Sequence, residues 1–128
     1  MYKNKLTNGK EQFKAQVQQQ MPNRPMPQPG ECIIPNSADN STLVPGGGVK
    51  LRGHNLQFNE ADAEQGIFLV ADDQTRTRIE VVLHNTPREL IFLVPNTLTS
   101  GEYTLEVRVR YGNDNIRTGI LESPLNVP

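Results

Sequence analysis

Apolar and polar side chains alternate without a break between residues 103 and 111. The apolar positions are Tyr103, Leu105, Val107, Val109 and Tyr111, and a Thr, Glu or Arg occupies each position between them. A period of two places the two sets of side chains on opposite faces of a strand. The stretch therefore predicts a strand with one buried and one solvated face, which commits this part of the chain to a β-sheet.

A second signal lies just before this strand, in the spacing Leu98-x-x-Gly101-x-Tyr103. In immunoglobulin-like sandwiches, a Tyr near the start of a late strand hydrogen-bonds back to the loop that precedes it. We therefore expect the Tyr103 ring to be buried and its hydroxyl to be bonded to that loop.

The rest of the chain after Cys32 shows the same short strand pattern. Expected strand segments are 32–34, 49–58 with a break at the Gly53-His54-Asn55 turn, 67–71, 77–84, 90–94, 103–111, 116–121 and 125–127. Turn residues separate them, most clearly Gly112–Asn115, where Gly and Asn tolerate a positive φ. Seven or eight short strands with no convincing helix predict an all-β, immunoglobulin-like antiparallel β-sandwich.

Residues 1–30 differ in composition from residues 31–128, and we treat them as a separate segment. Residues 8–20 could form a short helix, which is marginal in isolation. Four prolines between residues 22 and 29 exclude a helix or a central strand and favour an extended linker. We therefore predict a disordered tail or linker over 1–30 and the sandwich over 31–128. The tail belongs either to a module cut from a longer protein or to a complete small protein.

Charge is distributed unevenly between these two segments. Residues 1–30 carry a net charge of +4, whereas residues 31–128 hold eight basic and 13 acidic side chains, a net charge of −5. An acidic body is a poor match for DNA, because nucleic-acid affinity comes largely from neutralised phosphates. We also expect no membrane span, because no apolar run approaches the roughly 20 residues that a span needs.

Cys32 is the only cysteine, so the chain can form no internal disulfide. A single thiol in an apolar stretch predicts a buried structural residue in a reducing compartment. Without a visible secretory signal, we expect a cytoplasmic protein. An extracytoplasmic location is the alternative if a leader has been removed.

Several motifs between Pro45 and Val127 resemble a bacterial family. They are Pro45-Gly46-Gly47, Leu51-x-Gly53-x-Asn55-Leu56, Gly66-Ile67-Phe68-Leu69, Asn85-Thr86-Pro87, Val94-Pro95, Leu98-x-x-Gly101-x-Tyr103-x-Leu105-x-Val107 and Leu125-x-Val127. This family is an immunoglobulin-like domain of unknown function found C-terminal to histone-like, HU-type DNA-binding domains. Some of the same elements are similar to IPT/TIG-type sandwich domains. The resemblance implies an upstream DNA-binding arm and no catalytic residues in this domain.

We predict no catalytic, cofactor or metal site. His54 and His84 share no ligand spacing with neighbouring acids, and Cys32 has no local base to activate it. Arg76, Arg78, Arg108 and Arg110 could recognise an anion, although cross-strand ion pairs with Glu80 and Glu106 are the favoured explanation. Sandwich loops are common binding sites. The candidate interaction surface is His54, Asn55, Arg108, Arg110, Tyr111 and Asn113.

Two functions remain open at this point. The first is a non-catalytic module of a nucleoid DNA-binding protein, which contacts a protein partner or a second copy of itself. In this case DNA is bound only through an upstream domain. The second is an extracytoplasmic module that binds glycan or peptide.

Overall fold

The structure, a computed structural model, describes residues 25–128. The predicted helix over residues 8–20 and most of the predicted disordered tail lie outside this part of the chain. Nine strands form within it: β1 (Gln28–Ile33), β2 (Gly48–His54), β3 (Gly66–Ala71), β4 (Arg76–Arg78), β5 (Val82–Asn85), β6 (Glu89–Leu93), β7 (Gly101–Val109), β8 (Arg117–Ile120) and β9 (Leu125–Val127).

The strands form two sheets. The first sheet has the order β1-β2-β6-β5, and the second has the order β4-β3-β7-β8, with β9 paired to the start of β7. All of these strand pairs are antiparallel. The predicted all-β, immunoglobulin-like antiparallel β-sandwich is therefore confirmed.

An aliphatic core lies between the two sheets. Its fully buried side chains include Leu51, Leu90 and Phe92 from the first sheet and Leu69 and Leu105 from the second. The inward residues of β7 are the apolar set of the alternating stretch, as its period predicted. At about 25 cal/mol per Å² of apolar surface removed from water, this burial is the main stabilising term for a sandwich without a disulfide.

The predicted tyrosine corner is present before β7. The Tyr103 ring is 5% exposed, and its hydroxyl donates a 2.7 Å hydrogen bond to the carbonyl of Thr99. The Thr99 hydroxyl lies 3.1 Å from the same phenolic oxygen. The corner fixes the loop between β6 and β7 to the strand that follows it.

The single strand predicted over residues 77–84 is wrong. The chain changes sheets within this stretch, since β4 pairs with β3 in the second sheet and β5 pairs with β6 in the first. The backbone bonds show where the change occurs: Ile79 N–H donates to Ile67, whereas the carbonyl of Val81 accepts from Leu93. The alternation does not continue through the crossing: Ile79 and Val82, three residues apart, both pack against the core, whereas Val81 and Leu83 are exposed.

Residues 27–30 close the seam between the two sheets, where the edge strands β1 and β8 approach each other. Pro27 and Pro29 are buried, and a Cβ at Gly119 on β8 would overlap the carbonyl oxygen of Pro27. On the other side, a Cβ at Gly53 would overlap the carbonyl of Gln28. β1 therefore begins inside the segment 1–30 that composition marked as linker, and it is an edge strand, where proline is tolerated.

Candidate functional site

The antiparallel registers bring several connections to one end of the sandwich. In the first sheet Gln28 pairs with His54, and in the second Val109 pairs with Arg117. The loops that follow β2 and β7 therefore lie beside the residues that lead into β1 and β8. Four of the predicted surface residues occupy these loops: Asn55, Arg110, Tyr111 and Asn113.

Asn55 and Tyr111 are in direct contact. The Tyr111 hydroxyl donates a 2.6 Å hydrogen bond to the carbonyl of Asn55, and the Asn55 amide donates to the carbonyl of Met26 at 3.2 Å. Burial raises the pKa of the Tyr111 phenol to about 12, against the opposing effect of nearby Arg117. These bonds tie the two sheets and the entry of β1 together, so Asn55 and Tyr111 have a structural role.

Arg110 lies on the other side of Tyr111, against the acidic loop between β2 and β3. Its guanidinium donates to a Glu64 carboxylate oxygen at 2.7 Å and lies 3.6 Å from an Asp62 oxygen. It also donates to the carbonyl of Asp114 at 3.1 Å. Its charge is therefore engaged within the chain.

Arg78 supports the same acidic loop from inside. It donates to the carbonyls of Gln65 at 2.9 Å, Glu60 at 3.2 Å and Asp62 at 3.2 Å. Three carbonyls on one guanidinium fix the backbone of the loop. Arg78 does not belong to an exposed anion site.

Arg108 lies away from this loop cluster, on the outer face of the second sheet. Its guanidinium carbon is 5.7 Å from the centre of the Phe68 ring, and Glu106 lies 3.9 Å away. Arg76 approaches the same Glu106 carboxylate at 3.4 Å. The sequence offered two explanations for these arginines, anion recognition and ion pairing. The contacts with Glu106 support ion pairing for both of them. Glu80 makes no ion pair with them among the contacts of the described chain.

His54 and Asn113 complete the predicted set, in two further places. Asn113 is exposed in the turn between β7 and β8. His54 is exposed at the end of β2, on the outer face of the first sheet. The structure therefore joins Asn55 and Tyr111 at one end of the sandwich, with Arg110 and Asn113 in the same connection as Tyr111, and places His54 and Arg108 on the outer faces of the two sheets.

His54 borders an open groove of about 770 Å³, which we call the basic groove. Its floor is residues 52–54, and its walls are residues 28–31 on one side and His84, Thr86, Arg88 and Glu89 on the other. A bulge between Pro29 and Glu31 bends the β1 wall. Gly30 and Gly53 contribute no side chain that could fill the space.

Glu89 is the centre of the charge network in this groove. Its carboxylate lies 3.3 Å from Arg52, 4.0 Å from Lys50 and 3.6 Å from His84. Within residues 25–128, no ion pair or side-chain hydrogen bond involves Arg88. Sequence reasoning missed the basic groove, because its walls meet only through the register of β1, β2, β6 and β5. His54 and His84 were the only residues of this groove that the sequence singled out.

Cys32 is a buried thiol on β1. Cys32 is 7% exposed, and burial raises the pKa of its thiol to about 11. Within residues 25–128, no three His, Cys, Asp or Glu side chains are placed to hold a metal ion. The same residues include no helix long and apolar enough to cross a membrane.

Comparison with solved structures gives a related fold. A crystal structure named "Putative bacterial DNA binding protein", from Bacteroides vulgatus, superposes with a TM-score of 0.66 at 25% sequence identity. The match covers 82% of this chain and 49% of that one, so this chain corresponds to about half of its neighbour. No protein of curated function matches the sequence significantly.

The family comparison rests on the strands and turns described above. The matched region, residues 34–122, runs from the residue after β1 to just beyond β8 and includes the tyrosine corner. It covers well over half of the 128 residues. The chain thus belongs to the family described as a domain of unknown function (DUF4469) with an immunoglobulin-like fold.

Proposed function

We propose that this chain is a non-catalytic interaction module, the C-terminal accessory domain of a bacterial HU-like DNA-binding protein. In this proposal the sandwich makes protein contacts, with a partner or with a second copy, and a separate domain holds the DNA. The main support for this proposal is the match to the Bacteroides vulgatus protein, because this chain corresponds to about half of that protein.

The charge of the sandwich supports this division of labour. Residues 31–128 have a net charge of −5. Arg76, Arg78, Arg108 and Arg110 are all engaged with carboxylates or carbonyls of the chain itself. Phosphate contacts need Lys or Arg side chains that are free to displace the counterions condensed on the DNA. These four arginines are therefore poorly placed for a DNA backbone.

The aromatic residues argue against the glycan alternative. Sugars stack on exposed aromatic faces, but Phe58, Phe92 and Tyr103 are buried. Phe68 lies beneath Arg108, and the Tyr111 hydroxyl is bonded to Asn55. The described part of the chain therefore presents no open aromatic platform. A protein contact suits this surface better.

Photo-crosslinking in cells that express the natural gene tests this function. A photoreactive side chain at several exposed positions of the sandwich should give crosslinks to a protein, and nuclease treatment before analysis should not remove them. DNA binding of the purified chain, measured by fluorescence anisotropy at about 0.15 M salt, should be weaker than about 100 µM.

Two results would overturn the proposal. One is a set of crosslinks that disappears with the nucleic acid. The other is tight, salt-sensitive binding of the purified chain to a DNA duplex, because this would place the DNA contact on this module.

A further inference from the structure

We propose that the basic groove is the docking site for an extended acidic segment of a protein partner. The inference rests on the proposed protein-contact function and adds to it a location and a partner chemistry. It departs from the loop cluster around Asn55 and Tyr111, whose polar groups already bond to one another.

The charges of the groove favour an anionic occupant. Arg52 and Lys50 share the single carboxylate of Glu89, with His84 on its other oxygen. Arg88 adds a further cation, and no ion pair within residues 25–128 involves it. Glu31 is the only other acidic side chain that lines the groove. The groove and its rim thus hold three permanent cations and two carboxylates, on a body whose net charge is negative.

Arginine suits this occupant because its planar fork binds a carboxylate through two parallel hydrogen bonds. Arg88 is exposed on the turn between β5 and β6, and Arg52 belongs to the groove floor. The imidazoles of His54 and His84 add two N–H donors on the same side. The groove can therefore hold more than one carboxylate at a time.

The shape of the groove favours an extended chain over a small molecule. About 770 Å³ is within the size range of ligand pockets, yet the space is open and lies across the face of a sheet. A small acid would remain largely hydrated there. A peptide that crosses the face could place side chains against both walls and leave at each end.

The test is a titration of the full chain with fluorescein-labelled hexaglutamate, followed by anisotropy at low salt and at about 0.15 M salt. We expect saturable binding that weakens with salt. Arg88→Gln should weaken it about fivefold, and Arg52→Gln/Arg88→Gln more strongly. Arg76→Gln is the matched control, because it removes the same charge from the outer face of the other sheet and should leave binding unchanged.

Labelled hexalysine and a short dT oligonucleotide of equal charge complete the experiment. Neither should bind in a way that depends on Arg88. Circular dichroism and the urea midpoint of each variant show that the fold is retained. Because Arg88 contacts no charged partner within residues 25–128, Arg88→Gln should fold normally.

Three outcomes would overturn the inference: hexaglutamate fails to bind, Arg76→Gln weakens binding as much as Arg88→Gln, or the oligonucleotide binds through Arg88 more tightly than the peptide. The last outcome would assign the groove to phosphate. If the groove fails while nuclease-resistant protein crosslinks persist, the proposed function stands and only this location is wrong.

Discussion

The hydroxyl of Tyr103 donates a 2.7 Å hydrogen bond to the carbonyl of Thr99, four residues earlier in the chain. The acceptor belongs to the loop that carries the chain from the first sheet to the second. Because the Tyr103 ring is buried in the core, the bond anchors that loop to the most strongly patterned strand of the molecule.

Replacing Tyr103 with Phe should therefore destabilise the sandwich without changing its fold. The variant keeps the ring but leaves the Thr99 carbonyl without its donor, so we expect the free energy of unfolding to fall by about 1–2 kcal/mol. Urea unfolding followed by circular dichroism measures this change. Thr99→Val is the control, since it keeps the carbonyl and should cost less. Equal stability of Tyr103→Phe and the wild type would show that the corner contributes nothing.

A second prediction concerns the seam closed by Pro27. Gly119→Ala places a methyl group where the Pro27 carbonyl lies, so β1 must shift and the free energy of unfolding should fall by about 1–3 kcal/mol. Gly48→Ala is the matched control in another strand, where the nearest atom to the new methyl is a Leu93 carbon at 3.9 Å. If both variants unfold at the same urea concentration, β1 does not pack as described.

Cys32 should be unreactive in the folded chain. A thiol whose pKa is raised to about 11 holds very little thiolate at pH 8, and the thiolate is the nucleophile. Its reaction with Ellman's reagent should be at least about 100-fold slower in the native protein than in urea. Reaction at the unfolded rate would mean that β1 opens readily.

Acid should weaken the loop that follows β1. Asp39 accepts hydrogen bonds from the Ser41 hydroxyl at 2.7 Å and from the Ser41 backbone N–H at 3.2 Å. These bonds lower the pKa of Asp39 below its ordinary value of 3.8. The resulting stabilisation is complete above the unfolded-state pKa and is lost as the pH falls through the folded-state value.

Asp39→Asn isolates this contribution because it removes the charge and keeps the shape. The wild type should be the more stable of the two near neutral pH, and their urea midpoints should converge as the pH falls below the lowered pKa of Asp39 in the folded state. A difference that stays constant in acid would show that the carboxylate charge has no part in it.

The sequence was most informative where structure is local. Alternation between residues 103 and 111 predicted both faces of β7, although the strand itself is Gly101–Val109. The turn at Gly112–Asn115 predicted the pairing of β7 with β8. The Leu98-to-Tyr103 spacing predicted the tyrosine corner. Each of these features depends on neighbours within a few residues.

Features that depend on residues far apart in the chain could not be predicted from the sequence. The crossing near Ile79 lies in a stretch whose sequence alternates like one strand, yet the hydrogen-bond partners change there from Ile67 to Leu93 and Val81 and Leu83 are exposed. The basic groove depends on the β1 bulge and on the register that places Arg52 beside Glu89. Neither leaves a signal in a single sequence. The predicted surface residues Asn55, Arg110 and Tyr111 did come together, but they bond mainly to the chain itself.

The central claim is that an acidic peptide, and not DNA, contacts this module in the basic groove. Nuclear magnetic resonance of the ¹⁵N-labelled chain tests this claim directly. Hexaglutamate should shift the amide signals of residues 28–31, 52–54 and 84–89, and a DNA duplex at equal charge should leave the signals of residues 25–128 in place. Duplex-induced shifts in the basic groove, or peptide-induced shifts scattered over both sheets, would contradict it.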